Sequence, residues 1–175
     1  NEAPTLLFDM NKLFETAIAS VVKRRVGRDA GLHVRSQESG ISLATISSDL
    51  GSEAAFSLRP DLVIRRGNVP IAVADTKWKA IGMDRAGRLL PGQEDMYQLH
   101  AYAAAYQCTD LALIYPWHTR LVPSKETRYV LPDSAGGPAT VHVLCVDVHD
   151  DALPLRRGAD GGQLGALFTI SGQPT

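Results

Sequence analysis

Two short apolar runs that each carry an acid decide the fold: LRPDLVI at residues 58–64 and IAVADTKWK at residues 71–79. Each run is rich in Val, Ile and Leu, which is typical of a strand, and RGN at residues 66–68 supplies turn residues between them. The pattern therefore predicts a β-hairpin with strands over residues 57–66 and 69–79.

The predicted hairpin would carry two carboxylates and one ammonium group to one end of a sheet. Lys77 lies two residues after Asp75, so both side chains project from the same face of the strand. Mg²⁺ prefers oxygen ligands, commonly one or two carboxylates with waters and substrate oxygens. We therefore expect Asp61, Asp75 and the backbone carbonyl of Thr76 to hold Mg²⁺, for which Mn²⁺ would substitute. Lys77 would orient the attacking water and stabilise charge on a phosphodiester.

Helices are predicted on both sides of this hairpin. Apolar residues recur at helical spacing over residues 9–25, with Asp9 or Asn11 as the N-cap. A second helix, apolar on most faces, is predicted over residues 93–107. Further strands are predicted within residues 32–39, 41–46, 111–115, 129–131 and 140–148, and loops over residues 47–53 and 81–92. The order α-β-β-β-α-β predicts an α/β fold in which helices flank a mixed sheet, followed by a C-terminal β extension.

Three polar residues on the predicted helices are ambiguous when each is taken alone. Glu15 lies at the border of the apolar stripe of the first helix, where a solvated carboxylate is the ordinary interpretation. Gln98 and Tyr102 are four residues apart and share one face of the second helix. By themselves they would be a surface amide and a core aromatic.

Composition bounds the class of protein. The 175 residues are 45% hydrophobic and 21% charged with a net charge of −1, which suits one globular domain over residues 1–150 and a Gly-rich tail over residues 151–175. No apolar stretch is long enough to span a membrane and no signal peptide opens the chain, so we expect a cytoplasmic protein. Cys108 and Cys145 are far apart, and the histidines lack zinc-ligand spacing. Because the first residue is Asn1, we expect a fragment of a longer protein.

Taken together, the motifs resemble the C-terminal nuclease domain of the McrC family, within the restriction-endonuclease-like superfamily that carries a Pro-Asp…(Asp/Glu)-x-Lys signature. The matching stretches are MNKLFE at residues 10–15, LRPDLVI at 58–64, DTKWK at 75–79, DMYQLHAYA at 95–103 and LIYP at 113–116. Trp78 stands where the family pattern has Tyr, and little matches beyond residue 116.

The resemblance implies Mg²⁺-dependent cleavage of double-stranded DNA in a modification-dependent restriction system. It implies catalytic roles for Asp61, Asp75 and Lys77, an accessory and metal-binding role for Glu15, and supporting roles near the DNA for Gln98 and Tyr102. It also implies a McrB-like GTPase motor as partner. No P-loop occurs in this sequence, so we expect GTP to be bound by that partner and not by this chain. Cutting both strands needs two active sites, so we expect dimerisation on DNA.

Two alternatives remain open at this point. The same fold serves repair and recombination nucleases, and a nuclease-like fold can persist as a non-catalytic assembly module. Decayed modules would be expected to lose an acid or the lysine, whereas Asp61, Asp75 and Lys77 are all present. A nucleophilic hydrolase is disfavoured because the sequence has no G-x-S-x-G elbow.

Overall fold

A mixed sheet organises the part of the chain that the computed structural model describes, which is residues 9–26, 31–49, 51–121, 127–134, 137–149 and 155–157. The helices are α1 (Met10–Val26) and α2 (Gln93–Tyr106). The strands are β1 (Leu32–Ser36), β2 (Ile41–Ser48), β3 (Gly51–Leu58), β4 (Leu62–Arg66), β5 (Val69–Thr76), β6 (Gly82–Met83), β7 (Leu89–Leu90), β8 (Asp110–Pro116), β9 (Arg128–Ser134), β10 (Gly137–Val146) and β11 (Leu155–Arg157).

The large sheet has the strand order β1-β4-β5-β8-β10-β11, and β9 also pairs with β10. The β4–β5 pair is the predicted antiparallel hairpin, whereas β8 is parallel to both β5 and β10. Carboxyl ends of parallel strands meet at one edge of a sheet, so the chain leaves β5, β8 and β10 on the same side. Separate two-stranded ladders are formed by β2 with β3 and by β6 with β7.

Both faces of the central strands are covered, which explains why their sequences are continuous apolar runs. Leu62 and Ile64 of β4 belong to a core shared with Phe14 and Ile18 of α1. Val63, on the opposite face of β4, belongs to a second core that includes residues of α2. The same alternation holds in β5 and β8, so the sheet lies between two apolar layers and the fold is α/β, as predicted.

The ends of both helices lie within one residue of those predicted from the sequence. The amide of Lys12 donates to Asp9 Oδ1 at 3.2 Å, which identifies Asp9 as the residue that caps α1. Helix α2 ends at Tyr106 and is capped by Gln107, which has a left-handed conformation with φ 49° and whose backbone amide donates to the Ala103 carbonyl.

Several predicted boundaries are wrong. The loop predicted over residues 47–53 is a tight hairpin, because β2 continues to Ser48 and β3 begins at Gly51. The predicted strand over residues 57–66 is interrupted, since β3 ends at Leu58 and β4 begins only after Asp61. The strand predicted to reach residue 79 ends at Thr76.

Two further segments carry more structure than the sequence pattern indicated. The predicted loop over residues 81–92 contains the short β6–β7 ladder. Strand β11 lies within the stretch predicted as a Gly-rich tail and pairs with β10, while residues 158–175 fall outside the described residues.

Candidate active site

The two acids of the hairpin are joined through Thr76. Asp61 lies immediately before β4, and its Oδ2 accepts hydrogen bonds from the Thr76 amide at 2.7 Å and from Thr76 Oγ1 at 2.6 Å. Thr76 directly follows Asp75 at the end of β5. The structure therefore brings the two predicted carboxylates to the same end of the sheet, while the role of the Thr76 carbonyl stays a prediction.

Asp75 and Lys77 form a buried ion pair. Lys77 Nζ lies 2.6 Å from Asp75 Oδ2, and the Asp75 residue is only 3% exposed. Although β5 ends at Thr76, the Lys77 amide still donates to the Ile114 carbonyl of β8 at 2.8 Å. That bond continues the extended course of the chain by one residue, which keeps Asp75 and Lys77 on one face as predicted.

The charge on Asp75 is unfavourable in the folded chain. Burial, followed by the negative charge of Asp61, raises the pKa of Asp75 to about 6, although Lys77 opposes the change. Burial also disfavours the Lys77 ammonium, but the nearby Asp75 and Asp95 carboxylates outweigh it and raise the pKa of Lys77. Lys77 is therefore a fixed cation at neutral pH.

A hydrogen-bonded chain runs from Lys77 into helix α2. Lys77 Nζ donates to Gln98 Oε1 at 2.7 Å, and Gln98 Nε2 donates to the Tyr102 hydroxyl at 2.8 Å. Tyr102 is 2% exposed, and burial raises the pKa of its hydroxyl. The predicted pair on the second helix thus lies beside the predicted catalytic lysine, where Gln98 holds the ammonium in place.

Asp95 is a site residue that sequence reasoning missed. Its Oδ1 lies 3.5 Å from Lys77 Nζ, and its Oδ2 lies 2.7 Å from Lys79 Nζ. The hydroxyl of Tyr115 donates to the same Oδ2 at 2.9 Å. The signal was available, because Asp95 precedes Gln98 by three residues and so shares its helix face.

The Asp95 carboxylate has the opposite tendency to that of Asp75. Its burial raises the pKa, but hydrogen bonds from Lys79 and Tyr115 and the charge of Lys77 outweigh burial and lower it. Asp95 thus remains ionised and fixes both lysines. The site therefore combines a carboxyl group whose ionisation is disfavoured, Asp75, with one whose ionisation is favoured, Asp95.

Glu15 approaches the site from helix α1 through Gln37. Glu15 Oε1 accepts a hydrogen bond from Gln37 Nε2 at 2.6 Å, and the Gln37 side chain is in turn bound by Arg59. The backbone amide of Gln37 donates to the backbone carbonyl of Asp61 at 3.1 Å. Burial and the negative charge of Asp61 raise the pKa of Glu15. Gln37 and Arg59 were missed: Gln37 stands in no pattern that marks it, whereas Arg59 lies within the LRPDLVI stretch, two residues before Asp61.

The donor set fits a hard divalent cation. Burial, and after it the negative charge of Asp61, raises the pKa of both Asp75 and Glu15, so repulsion from Asp61 disfavours the ionised form of each carboxyl group. A cation among these oxygens would relieve that repulsion. Within the described ranges no three or more His, Cys, Asp or Glu side chains are grouped so that they could hold a metal ion, so Glu15 does not join Asp61 and Asp75 in a ready-made site. An ion held by Asp61 and Asp75 would take its other ligands from water and substrate oxygens, as Mg²⁺ commonly does.

Comparison with known proteins identifies the family of this chain. A family model described as McrBC 5-methylcytosine restriction system component matches residues 1–116. The chain belongs to this McrBC family. The match ends at Pro116, which is also the last residue of the LIYP motif at residues 113–116. It confirms the family that the motifs resemble.

The fold of this McrBC chain also has a solved relative. A chain from the half-complex of Thermococcus gammatolerans McrB AAA+ hexamers with bound McrC is 18% identical, with a TM-score of 0.60. The similarity covers 93% of this chain and 32% of that chain, so this sequence spans about a third of its length. Comparison with curated proteins gives no match.

Among the described residues, no helix is both long enough and apolar enough to cross a membrane.

Proposed function

We propose that this chain is the Mg²⁺-dependent DNA endonuclease domain of a McrBC-type restriction system. The observation that carries the proposal is the meeting of Asp61, Asp75 and Lys77 at the open end of the β4–β5 hairpin, away from its turn, with a buried Asp75–Lys77 contact of 2.6 Å. Membership of a family described as a 5-methylcytosine restriction component favours this activity over repair or recombination.

Asp61, Asp75 and the Thr76 carbonyl would hold the cation, with Glu15 as an accessory ligand. When bound, Mg²⁺ supplies neutralisation of phosphate charge and a water of lowered pKa. The Thr76 amide and hydroxyl fix Asp61 Oδ2, so that carboxylate is oriented before any ligand arrives. This preorganisation is what a site with few protein ligands needs.

Lys77 provides the permanent positive charge of the site. Gln98 and Asp95 hold its ammonium group from the helix side, and Asp75 holds it from the strand side. An ammonium fixed in this way stabilises negative charge that develops on a scissile phosphodiester without having to reorganise. Tyr102 anchors Gln98, so its contribution is positioning.

The same proposal includes a partner. The solved relative belongs to an assembly of McrB hexamers with bound McrC, and the similarity in fold covers 93% of this chain. We propose that a McrB-like GTPase motor delivers DNA to this domain and recognises the modified base. Double-strand cleavage would then require two copies of the domain on the DNA.

Nicking of supercoiled plasmid in Mg²⁺ or Mn²⁺ tests the proposal, first with the chain alone and then with a McrB-like motor, GTP and 5-methylcytosine-containing DNA. We expect nicking that a chelator abolishes and that Asp75→Asn removes. Asp49→Asn is the matched control, because it makes the same change at an exposed position after β2. Absence of metal-dependent nicking in both settings would contradict the proposal, as would undiminished nicking by Asp75→Asn.

A further inference from the structure

A cavity of about 510 Å³ lies at the same edge of the sheet as the candidate active site. Its walls come from the segments that follow the parallel strands β5, β8 and β10. Ten residues line it, among them Trp78, Lys79, Trp117 and Arg120. Ligands of parallel sheets bind outside the carboxyl ends of the strands, so this is the expected position for a ligand site.

The lining combines flat aromatic faces with positive charge. Trp78 and Trp117 are both half-buried, and Phe14 packs against Trp78 with ring centroids 5.4 Å apart. Lys79 and Arg120 are exposed cations at the wall, and none of the ten described lining residues is acidic. A complementary ligand has a planar apolar face and a negative charge.

The cavity is connected to the catalytic lysine through one residue. Lys79 of the cavity wall lies 2.7 Å from Asp95 Oδ2, and Oδ1 of the same carboxylate lies 3.5 Å from Lys77 Nζ. A ligand in the cavity would therefore contact a residue, Lys79, that shares the Asp95 carboxylate with Lys77.

We propose that this cavity binds an unpaired nucleotide of the DNA substrate beside the phosphodiester that is cut, an inference that rests on the proposed nuclease function. The base would stack on an indole of Trp78 or Trp117, and Arg120 would contact the backbone phosphate. Aromatic platforms with cationic grooves are the usual means of binding single strands. The volume lies within the range of about 300–1,000 Å³ typical of small-ligand sites.

The two tryptophans of the chain both line this cavity, so indole emission reports directly on its occupancy. The full chain is titrated in chelator with a short oligothymidylate and with a blunt duplex of equal length. We expect the single strand to quench the emission and to bind about tenfold more tightly than the duplex. A duplex offers no exposed base face to the indoles.

Variants separate stacking from charge. Trp117→Ala should weaken single-strand binding about tenfold, while Trp117→Phe retains most of it and guards against a folding defect. Arg120→Ala should reduce the log–log salt dependence by about 0.7, the value for one phosphate contact on a single strand. Arg66→Ala is the matched control, since Arg66 is exposed at the opposite edge of the sheet.

Unchanged emission, equal affinity for the duplex, or full affinity in both Trp117→Ala and Arg120→Ala would overturn the proposal. The binding assay contains no metal, so its outcome is independent of cleavage. Normal nicking with unchanged emission would refute the nucleotide site alone. Quenching without nicking under any condition described above would refute the nuclease proposal alone.

Discussion

Lys77 Nζ and Asp75 Oδ2 lie 2.6 Å apart, although β5 ends between these two residues. The Lys77 amide remains bonded to the Ile114 carbonyl, and this single backbone bond preserves the strand-like alternation that faces both side chains the same way. The ion pair that defines the candidate active site thus depends on the β5–β8 pairing as well as on the local sequence.

The Lys77→Gln substitution tests the ammonium as a stabiliser of phosphate charge. We expect nicking to fall by about 100-fold, because an amide supplies no positive charge at the phosphodiester. Binding of Mn²⁺, followed by calorimetry, should persist because the proposed ligands are unchanged. Arg24→Gln removes one positive charge from the exposed last turn of α1 and serves as the control. Wild-type nicking by Lys77→Gln would exclude the role assigned to Lys77.

The raised pKa of Asp75 predicts a specific dependence of stability on pH. In metal-free protein this carboxyl group has a pKa of about 6, against an ordinary value of 3.8. The folded state therefore holds the proton more tightly, and the stability that this group contributes is complete below pH 3.8 and lost as pH rises through about 6.

Comparison with Asp75→Asn isolates this effect, because the variant cannot ionise at that position. Between pH 3.8 and 7 the wild-type free energy of unfolding should fall relative to that of the variant, by roughly 3 kcal/mol at most. Denaturant unfolding in chelator at several pH values measures the difference. A constant difference across this range would show that Asp75 titrates normally.

The hairpin and its acids could be read from the sequence because their signals are local. Apolar runs, a turn at residues 66–68 and the spacing of Asp75 and Lys77 predicted the strands and the shared face. The interruption before β4 was not predictable in this way. At the interruption the chain passes from the β2–β3 ladder to the large sheet, and the Asp61 carboxylate is bound there by the Thr76 amide and hydroxyl, a contact that exists only once β5 is in place.

The supporting residues were harder to predict for the same reason. Asp95 has an acidic neighbour, Glu94, and looks like an ordinary first-turn carboxylate that favours a helix N-terminus. Its burial to 5% exposure and its contacts with two lysines follow from the packing of α2 beside β8. Gln37 likewise gains its contact with Glu15 only when β1 and α1 come together.

Removal of the Gln98 amide tests positioning of the lysine. Gln98→Ala deletes both the acceptor for Lys77 Nζ and the donor to Tyr102, so we expect nicking to fall about tenfold, less than for Lys77→Gln. Gln93→Ala changes an exposed glutamine in the first turn of the same helix and should leave nicking unaltered. Collapse of the circular dichroism spectrum in Gln98→Ala would show that Gln98 is structural instead.

The Asp95→Asn substitution should affect stability and catalysis together, because Asp95 is the shared partner of Lys77 and Lys79. Loss of its charge weakens both ion pairs, and since Lys79 is half exposed we expect a destabilisation of about 1–2 kcal/mol at pH 7. The pKa of Asp95 is lowered by its partners, so this contribution is present above pH 3.8 and lost as pH falls through its folded pKa.

The pH dependence distinguishes this role of Asp95 from simple packing. Unfolding free energies of wild type and Asp95→Asn should converge in acid and separate toward neutral pH, which is the reverse of the pattern expected for Asp75→Asn. Nicking should fall about tenfold as Lys77 loses one of the groups that fix it. Glu94→Gln, at the exposed neighbouring position, should change neither property. A gap between Asp95→Asn and wild type that does not vary with pH would mean that Asp95 acts through shape rather than charge.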